Sequence, residues 1–280
     1  MNLSNVDENL QIIRDNYPQG PFHAAIFDFD GTLSLIRRNW QETMIPMMVD
    51  ELAKTGTTET HEELKRQVEN FVMQLNGRQT IYQMIQLTKE IEQRGGQPLE
   101  PIDYKHQYHD LLWEKVSRRI AAIQSGQVDI DDMTVPGSRE LLQHIKNIGL
   151  RMYLASGTDL KYVKQEVSLL EFDNYFTGNI YGALDDYKNF SKAMIIDKII
   201  RDTGVAGTQI IGFGDGYVEI EEVKRVGGLA IGVASDENNC QGINPWKRER
   251  LIRAGADIIV ADYRELQTLL TLINLASPSI

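Results

Sequence analysis

Two aspartates two residues apart, Asp28 and Asp30 in "AAIFDFDGTLS" (Ala24 to Ser34), close an apolar run that reads as a buried strand. Residues two apart in an extended strand point to the same side, so both carboxyls can face one volume while Phe27 and Phe29 pack the other way. A plain turn toward Gly31 would use the same residues, and the stretch alone fits both readings. "QIIGFGDGYVEI" adds Asp215 at the end of another apolar run, with Glu219 four residues on. Four carboxylates in one volume would raise at least one pKa unless a cation sits among them. The candidate ligands are hard oxygens, and no Cys or His set has zinc-like spacing, which points to Mg²⁺. Glu219 could also complement the N-terminus of the helix that follows, the role read for Glu221 and Glu222.

Two more stretches carry groups suited to an anion. "YLASGTDL" ends a third strand in Ser156-Gly157-Thr158, where a hydroxyl and the N–H groups of a helix-opening turn could receive one. Ordinary N-capping by Ser156 or Thr158 is equally good local chemistry. In "YKNFSKAMIIDKII", Lys192 falls in the first turn of a helix, where a cation opposes the dipole unless an anion lies between them. Lys188 is a nearby rival. Other patterns fail: "GFGDGY" has Tyr217 where a dinucleotide fingerprint needs Gly, "LASGT" lacks the first Gly of a nucleophile elbow, and there is no P-loop. His106 and His109 have helical spacing but no partners for a metal, and read as a solvated or half-buried face.

The elements that must position these groups are visible in the hydrophobic periodicity. "LRMYLAS", "QIIGFGD", "LAIGVAS" and "ADIIVA" read as strands, each followed by a helix: "DLKYVKQEVSLL", "VEIEEVKRVG", "KRERLIRAG" and "RELQTLLTLIN". Near-continuous apolar strands alternating with helices predict an α/β fold with a parallel sheet covered on both faces. Pro136 suits the first turn of a helix running to Ile148. Between residues 36 and 134 the apolar positions follow helical spacing without strands, in four stripes: Met44, Met47, Met48, Leu52; Leu64, Val68, Phe71, Val72, Leu75; Ile81, Met84, Ile85, Ile91; Leu111, Leu112, Val116, Ile120, Ile123. A segment this long is not a plain loop, so it reads as an inserted helical domain within a core of residues 1–35 and 135–280.

At 280 residues and 42% hydrophobic, the chain can bury a large core with a smaller satellite. A net charge of -11 offers no field for nucleic acid or an anionic membrane. The one cysteine, Cys240, excludes an internal disulfide and fits a reducing compartment. Asp7 and Glu8 stand where a signal peptide would need its apolar stretch, and no apolar run reaches spanning length. The expectation is a soluble, cytoplasmic protein, monomer or small homo-oligomer.

With these residues in order, the chain resembles the haloacid dehalogenase superfamily of phosphohydrolases. The likeness rests on "DFDGT" at Asp28 to Thr32, the Ser of "LASGT", the Lys of "SKAMI" and "GDGYVE", and covers nearly the whole chain. The helical segment sits where members of one branch, that of phosphoglycolate phosphatase and β-phosphoglucomutase, carry a cap. The resemblance implies a Rossmann-like core, and an Mg²⁺-dependent phosphatase acting on a small phosphorylated metabolite through an aspartyl-phosphate. Asp28 would be the nucleophile and Asp30 the acid and base. Mg²⁺ would be held by Asp28, the Asp30 carbonyl and Asp215, with Glu219, where many relatives have Asp, orienting the metal shell. Thr32, Ser156, the Gly157 N–H and Lys192 would hold the phosphoryl oxygens. Asp30 argues against dehalogenase and phosphonatase chemistry, and Phe29 against calcium-pump-like ATPases. A phosphomutase, or a phosphate-binding module without turnover, stays open. For substrate choice the candidates are Arg37, Arg38 and Asn39 after the first motif, and Arg78 in "NGRQT", a turn between two cap helices that would dip toward the site; solvated linker and turn residues look the same.

Overall fold

The computed structural model describes residues 4–184 and 187–276. The outer ends of the expected core segments, residues 1–3 and 277–280, lie outside the described residues. In chain order, strands β1 (Ser4–Asp7), β2 (Leu10–Ile12) and β3 (Ala24–Phe27) precede four helices, α1 (Gln41–Ala53), α2 (His61–Gln74), α3 (Thr80–Gln93) and α4 (Pro101–Gln124). Then come α5 (Ser138–Asn147), β4 (Arg151–Asp159), α6 (Leu160–Leu169), α7 (Asp173–Phe176), β5 (Ile180–Ala183) and α8 (Lys192–Thr203). The chain ends with β6 (Ile210–Gly214), α9 (Tyr217–Arg225), β7 (Leu229–Val233), α10 (Pro245–Ala254), β8 (Ile258–Val260) and α11 (Leu266–Leu272).

Among the described residues, eight strands form one sheet in the order β1-β2-β8-β7-β6-β3-β4-β5. Every pairing from β8 across to β5 is parallel. The β1–β2 hairpin adds an antiparallel edge. This is the α/β, Rossmann-like core with inserted helices that the alternation of strands and helices predicts. The hairpin and β5 were not read from the sequence, because "SNVD", "LQI" and "IYGA" lack the unbroken apolar run that marks β3 and β8.

Strands β3, β6 and β7 are buried along their whole length, which is why they are apolar at every position and do not alternate. On one face Phe27, Leu154, Phe213, Ile231 and Val233 join a core that runs on into α1–α4. On the other, Ile26, Ile210, Ala230 and Ile259 pack with Ile196, Ile199, Val223 and Leu251 of α8, α9 and α10. At the centre the rings of Phe27 and Phe213 stack with centroids 4.6 Å apart, and Tyr263 meets Phe213 edge-on at 6.2 Å.

The four helical stripes face the core, with Leu75, Ile85 and Ile120 only half-buried and Leu111 a correction. Leu111 is 41% exposed, and the buried line on α4 is Tyr104, Tyr108, Leu112 and Val116, a strict four-residue repeat that includes two tyrosines. Thr60 and Glu63 form a reciprocal capping box that starts α2. Pro136 does not lie in the first turn of α5. Gly137, at φ 79°, is left-handed and caps that helix, and the Pro136 carbonyl accepts the Tyr263 N–H at 2.9 Å. Among the described residues no helix is long and apolar enough to cross a membrane.

Phe213→Ala removes the ring stacked on Phe27 and should cost about 3–5 kcal/mol in urea unfolding. A loss below about 1 kcal/mol would mean that the stacked pair is not central to the core.

Candidate active site

The register of β3 builds the site. Phe27 lies beside Leu154 of β4 and Phe213 of β6. Two residues further along the same three chains stand Phe29, Ser156 and Asp215, so the groups picked out in separate segments arrive together. The Asp28 N–H donates to the Phe213 carbonyl at 2.9 Å, carrying the ladder one residue past the strand. Connections after β3 and after β6 leave in opposite directions across the sheet, which opens a crevice between these strand ends. Beyond Phe29 the chain turns: the Leu33 and Ser34 N–H groups both donate to the Phe29 carbonyl at 2.9 Å. Gly31, at φ 76°, sits in that turn, and a Cβ there would lie 2.4 Å from Asp215 Oδ2.

Asp28, Asp215 and Glu219 offer carboxylate oxygens within 4.8 Å of one another. Lys192, only 5% exposed, places its ammonium 2.7 Å from Asp28 Oδ1 and 2.7 Å from Glu219 Oε2. The other Glu219 oxygen accepts the Gly216 N–H at 2.5 Å. Gly214 makes this approach possible, since a Cβ there would stand 2.0 Å from Glu219 Cγ. Asp215 Oδ2 pairs with Lys247 at 2.8 Å. Among the described residues, Asp28 Oδ2 and Asp215 Oδ1 carry no hydrogen bond, and both side chains line the cavity. Two hard, unengaged carboxylate oxygens in an acidic cluster fit a divalent cation of the Mg²⁺ kind. Glu219, with both oxygens taken, stands behind them.

Asp30 is held differently. Its Oδ2 accepts from Thr158 Oγ1 at 2.8 Å and from Ser156 Oγ at 3.3 Å, while its Oδ1 is buried without a partner. Burial pushes the Asp30 pKa up and Asp215 adds to the shift, against the pull of Arg37 and of the two hydroxyls. Burial likewise raises Asp28 well above the usual carboxylate range, Lys192 opposing and Glu219 and Asp215 adding. For Lys192 burial works against the charge, but Asp28 and Glu219 outweigh it and the pKa rises.

Thr32 is wholly buried off the cavity, its hydroxyl unpartnered and its carbonyl accepting from the Tyr263 hydroxyl at 3.0 Å. Gly157 lines the cavity, and Ser156 lies buried behind it. Lys188 is exposed on a short turn, which leaves Lys192 as the lysine at the site. Arg37 also lines the cavity, bound to Glu166 at 2.7 Å with both groups buried. Arg38 and Asn39 do not join it. The Arg38 carbonyl accepts from Arg119 at 3.0 Å, and the Asn39 amide donates to Asn238 at 2.7 Å on the outer side. The backbone is left-handed at Asn39, at φ 63°, and the next residue, Trp40, lines the cavity again.

The Asn76 to Thr80 turn between α2 and α3 reaches the strand ends. A Cβ on Gly216 would lie 3.0 Å from Gly77 Cα, and one on Gly157 would lie 3.0 Å from the Arg78 carbonyl oxygen. Arg78 Nε donates to the Tyr217 hydroxyl at 3.0 Å. Sequence reasoning placed Thr158 at the strand end without its bond to Asp30, and missed Glu166, Lys247 and the cavity wall of Tyr108 and His109, whose ring stacks on Tyr162 at 4.1 Å.

A parallel α/β sheet whose central strand ends gather acids and a buried lysine beneath inserted helices defines a Rossmann-like core with a cap. The chain belongs to the haloacid dehalogenase-like hydrolase family, whose model matches residues 22–227. No curated protein matches it in sequence. Among solved structures it is similar to a β-phosphoglucomutase from Clostridium difficile (15% identity, TM-score 0.56, 91% of this chain and 97% of that one). It is also similar to a "predicted phosphoglycolate phosphatase" from Haemophilus somnus (17%, 0.56, 89% and 97%). A third is a HAD family hydrolase from Deinococcus radiodurans with bound phosphate and sodium (16%, 0.54, 92% and 99%). At these identities the likeness is one of fold.

Burial raises the Glu166 carboxyl to about 7, against the pull of Arg37. Its ordinary value is 4.5, so the folded protein binds the extra proton between about pH 4.5 and 7 and loses that contribution as pH rises through this window. Glu166→Gln cannot titrate. Urea unfolding across the window should show the wild type losing stability relative to the variant as pH rises, and parallel curves would contradict the raised value.

Proposed function

We propose that the protein is an Mg²⁺-dependent phosphomonoesterase that hydrolyses a small phosphorylated metabolite, of the sugar phosphate or phosphoglycolate type. The observation that carries this reading is the pair Asp28 and Asp30: one acid with an unengaged oxygen facing the cavity beside a buried lysine, the other held by two hydroxyls with its pKa raised. Asp28 attacks phosphorus, the bond to the leaving oxygen breaks, and Asp30 delivers its proton to that oxygen. Water then attacks the phosphoryl group on Asp28 and gives a proton to Asp30, releasing phosphate and restoring both carboxyls. A raised pKa suits Asp30 to this exchange, because its proton stays available at higher pH than that of an ordinary carboxyl.

Lys192 and the end of β4 at Ser156 and Gly157 hold the phosphoryl oxygens, and Thr32 serves through the loop that its carbonyl anchors. Asp28, the Asp30 carbonyl and Asp215 would hold Mg²⁺, with Glu219 behind them; the ion would supply positive charge against the phosphoryl oxygens. The cap turn at residues 76–80 excludes water from the strand ends. The cavity between the strand ends and the cap, about 100 Å³, has room for a small group and not for a polymer. A phosphomutase that returns the phosphoryl group to a second oxygen of its substrate is the other reading, favoured by the likeness to a β-phosphoglucomutase. A phosphate-binding module without turnover would gain nothing from Asp28 beside the anion.

Across a panel of phosphorylated metabolites, Mg²⁺-dependent release of inorganic phosphate is expected, abolished by chelation and restored by Mg²⁺. An isomerised sugar phosphate without phosphate release would favour the mutase, and no turnover at all the binding module. Asp28→Asn should remove activity, and Asp30→Asn should lower kcat by about 10²–10⁴-fold. An active Asp28→Asn would overturn the nucleophile assignment.

A further inference from the structure

Lys247 is the one cationic side chain in contact with Asp215 among the described residues, and neither the family motifs nor the phosphoryl chemistry uses it. It enters from the third position of α10 and is 6% exposed. Its ammonium lies 2.8 Å from Asp215 Oδ2, 2.6 Å from Glu237 Oε1 and 3.2 Å from Ser235 Oγ, three acceptors for three N–H donors. Ser235 Oγ in turn donates to the Gly31 carbonyl at 2.9 Å, inside the turn that follows Asp28 and Asp30. Asp215 and Glu237 both crowd the empty side of Gly31, their oxygens 2.4 and 3.0 Å from where a Cβ would stand. Without a cation between them, two carboxylates this close would repel and part.

We infer that Lys247 is a positioning residue for metal binding: it pins one oxygen of Asp215 from the side away from the cavity, aims the other into the cavity, and ties it to the turn that carries Asp30. The inference rests on the metal role proposed for Asp215. Lys192 does the corresponding work for Asp28 and Glu219, so each of the two lysines bridges a pair of acids. The sign of the effect separates positioning from charge. A nearby ammonium acting through its charge alone would repel a metal ion, and deleting it would tighten Mg²⁺. A lysine that positions a ligand does the opposite, because groups that orient a metal ligand typically cost 10–100-fold in affinity when removed.

The test is calorimetric titration of Mg²⁺ into the full-length wild type and Lys247→Met, with thermal unfolding of each in chelator. The expected result is a Kd for Mg²⁺ at least tenfold weaker in the variant. Equal or tighter binding overturns the inference, as does a fall in Tm with no change in Kd, which a purely structural lysine would give. If Lys247→Met does not fold, Ser235→Ala decides: weakening of Mg²⁺ by twofold or more supports the inference and an unchanged Kd overturns it. A wild type that binds no Mg²⁺ removes the metal role itself, whereas a wild type that binds it alongside an unaffected variant removes only the inference.

Discussion

Everything around the strand ends answers to one constraint, the burial of several carboxylates in a small volume. Two like charges about 4 Å apart near a protein surface repel by about 4 kcal/mol, and each buried ion left unpaired costs several more. The fold meets this with cations drawn from three separate places. Lys192 opens α8 and bridges Asp28 to Glu219; Lys247 comes from α10 to Asp215 and Glu237; Arg37, just past the first turn, binds Glu166 and acts on Asp30 from a distance. None of these helices or turns could be moved without stranding a charge. The sheet order serves the same end, since only with β3 between β4 and β6 do Ser156 and Asp215 flank the two aspartates.

The inserted helices complete the enclosure from above. Their apolar core is continuous with one face of the sheet, so they are built on the strand ends and not merely tethered to them. Arg119 of α4 donates to the Ile36 and Arg38 carbonyls at 2.6 and 3.0 Å, fixing the linker just where it leaves the site. Tyr108 and His109, from the same helix, add aromatic rings to the cavity lining beside Tyr162 of α6. A ligand therefore meets the acids from the sheet side and, from the cap, both rings and the polar side chains of Asn76, Arg78, Gln83 and Lys105.

How much of this was legible in the sequence follows from where each signal resides. Buried parallel strands are apolar at every residue, so a charge at the end of one stands out, and Asp28, Asp30 and Asp215 were readable for that reason. Lys192 was readable because a cation in the first turn of a helix violates the dipole preference. Lys247 was not, because it begins the run "KRER", where solvated charge is the default and nothing sets it apart from Arg248 or Arg250. Glu166 hid in the same way inside "KYVKQEVSL". Arg37, Arg38 and Asn39 form one polar group in sequence, and only the partners found in the fold, Glu166 for Arg37 and Asn238 for Asn39, sort the first from the others. The bond from Thr158 to Asp30 could have been found, since a hydroxyl two residues after Ser156 on an extended strand shares its side.

The turn at residues 76–80 meets the core through its main chain at two points, Gly77 Cα against Gly216 and the Arg78 carbonyl against Gly157. A fit made by backbone atoms does not depend on which side chains the turn carries. Asn76 and Thr80, which line the cavity, can thus be exchanged with little change to that backbone fit, whereas Arg78 and Gln79 also hold the turn through their side chains. Such a joint separates the geometry of the lid from its chemistry, and lets selection retune what is admitted while the machinery beneath stays as it is.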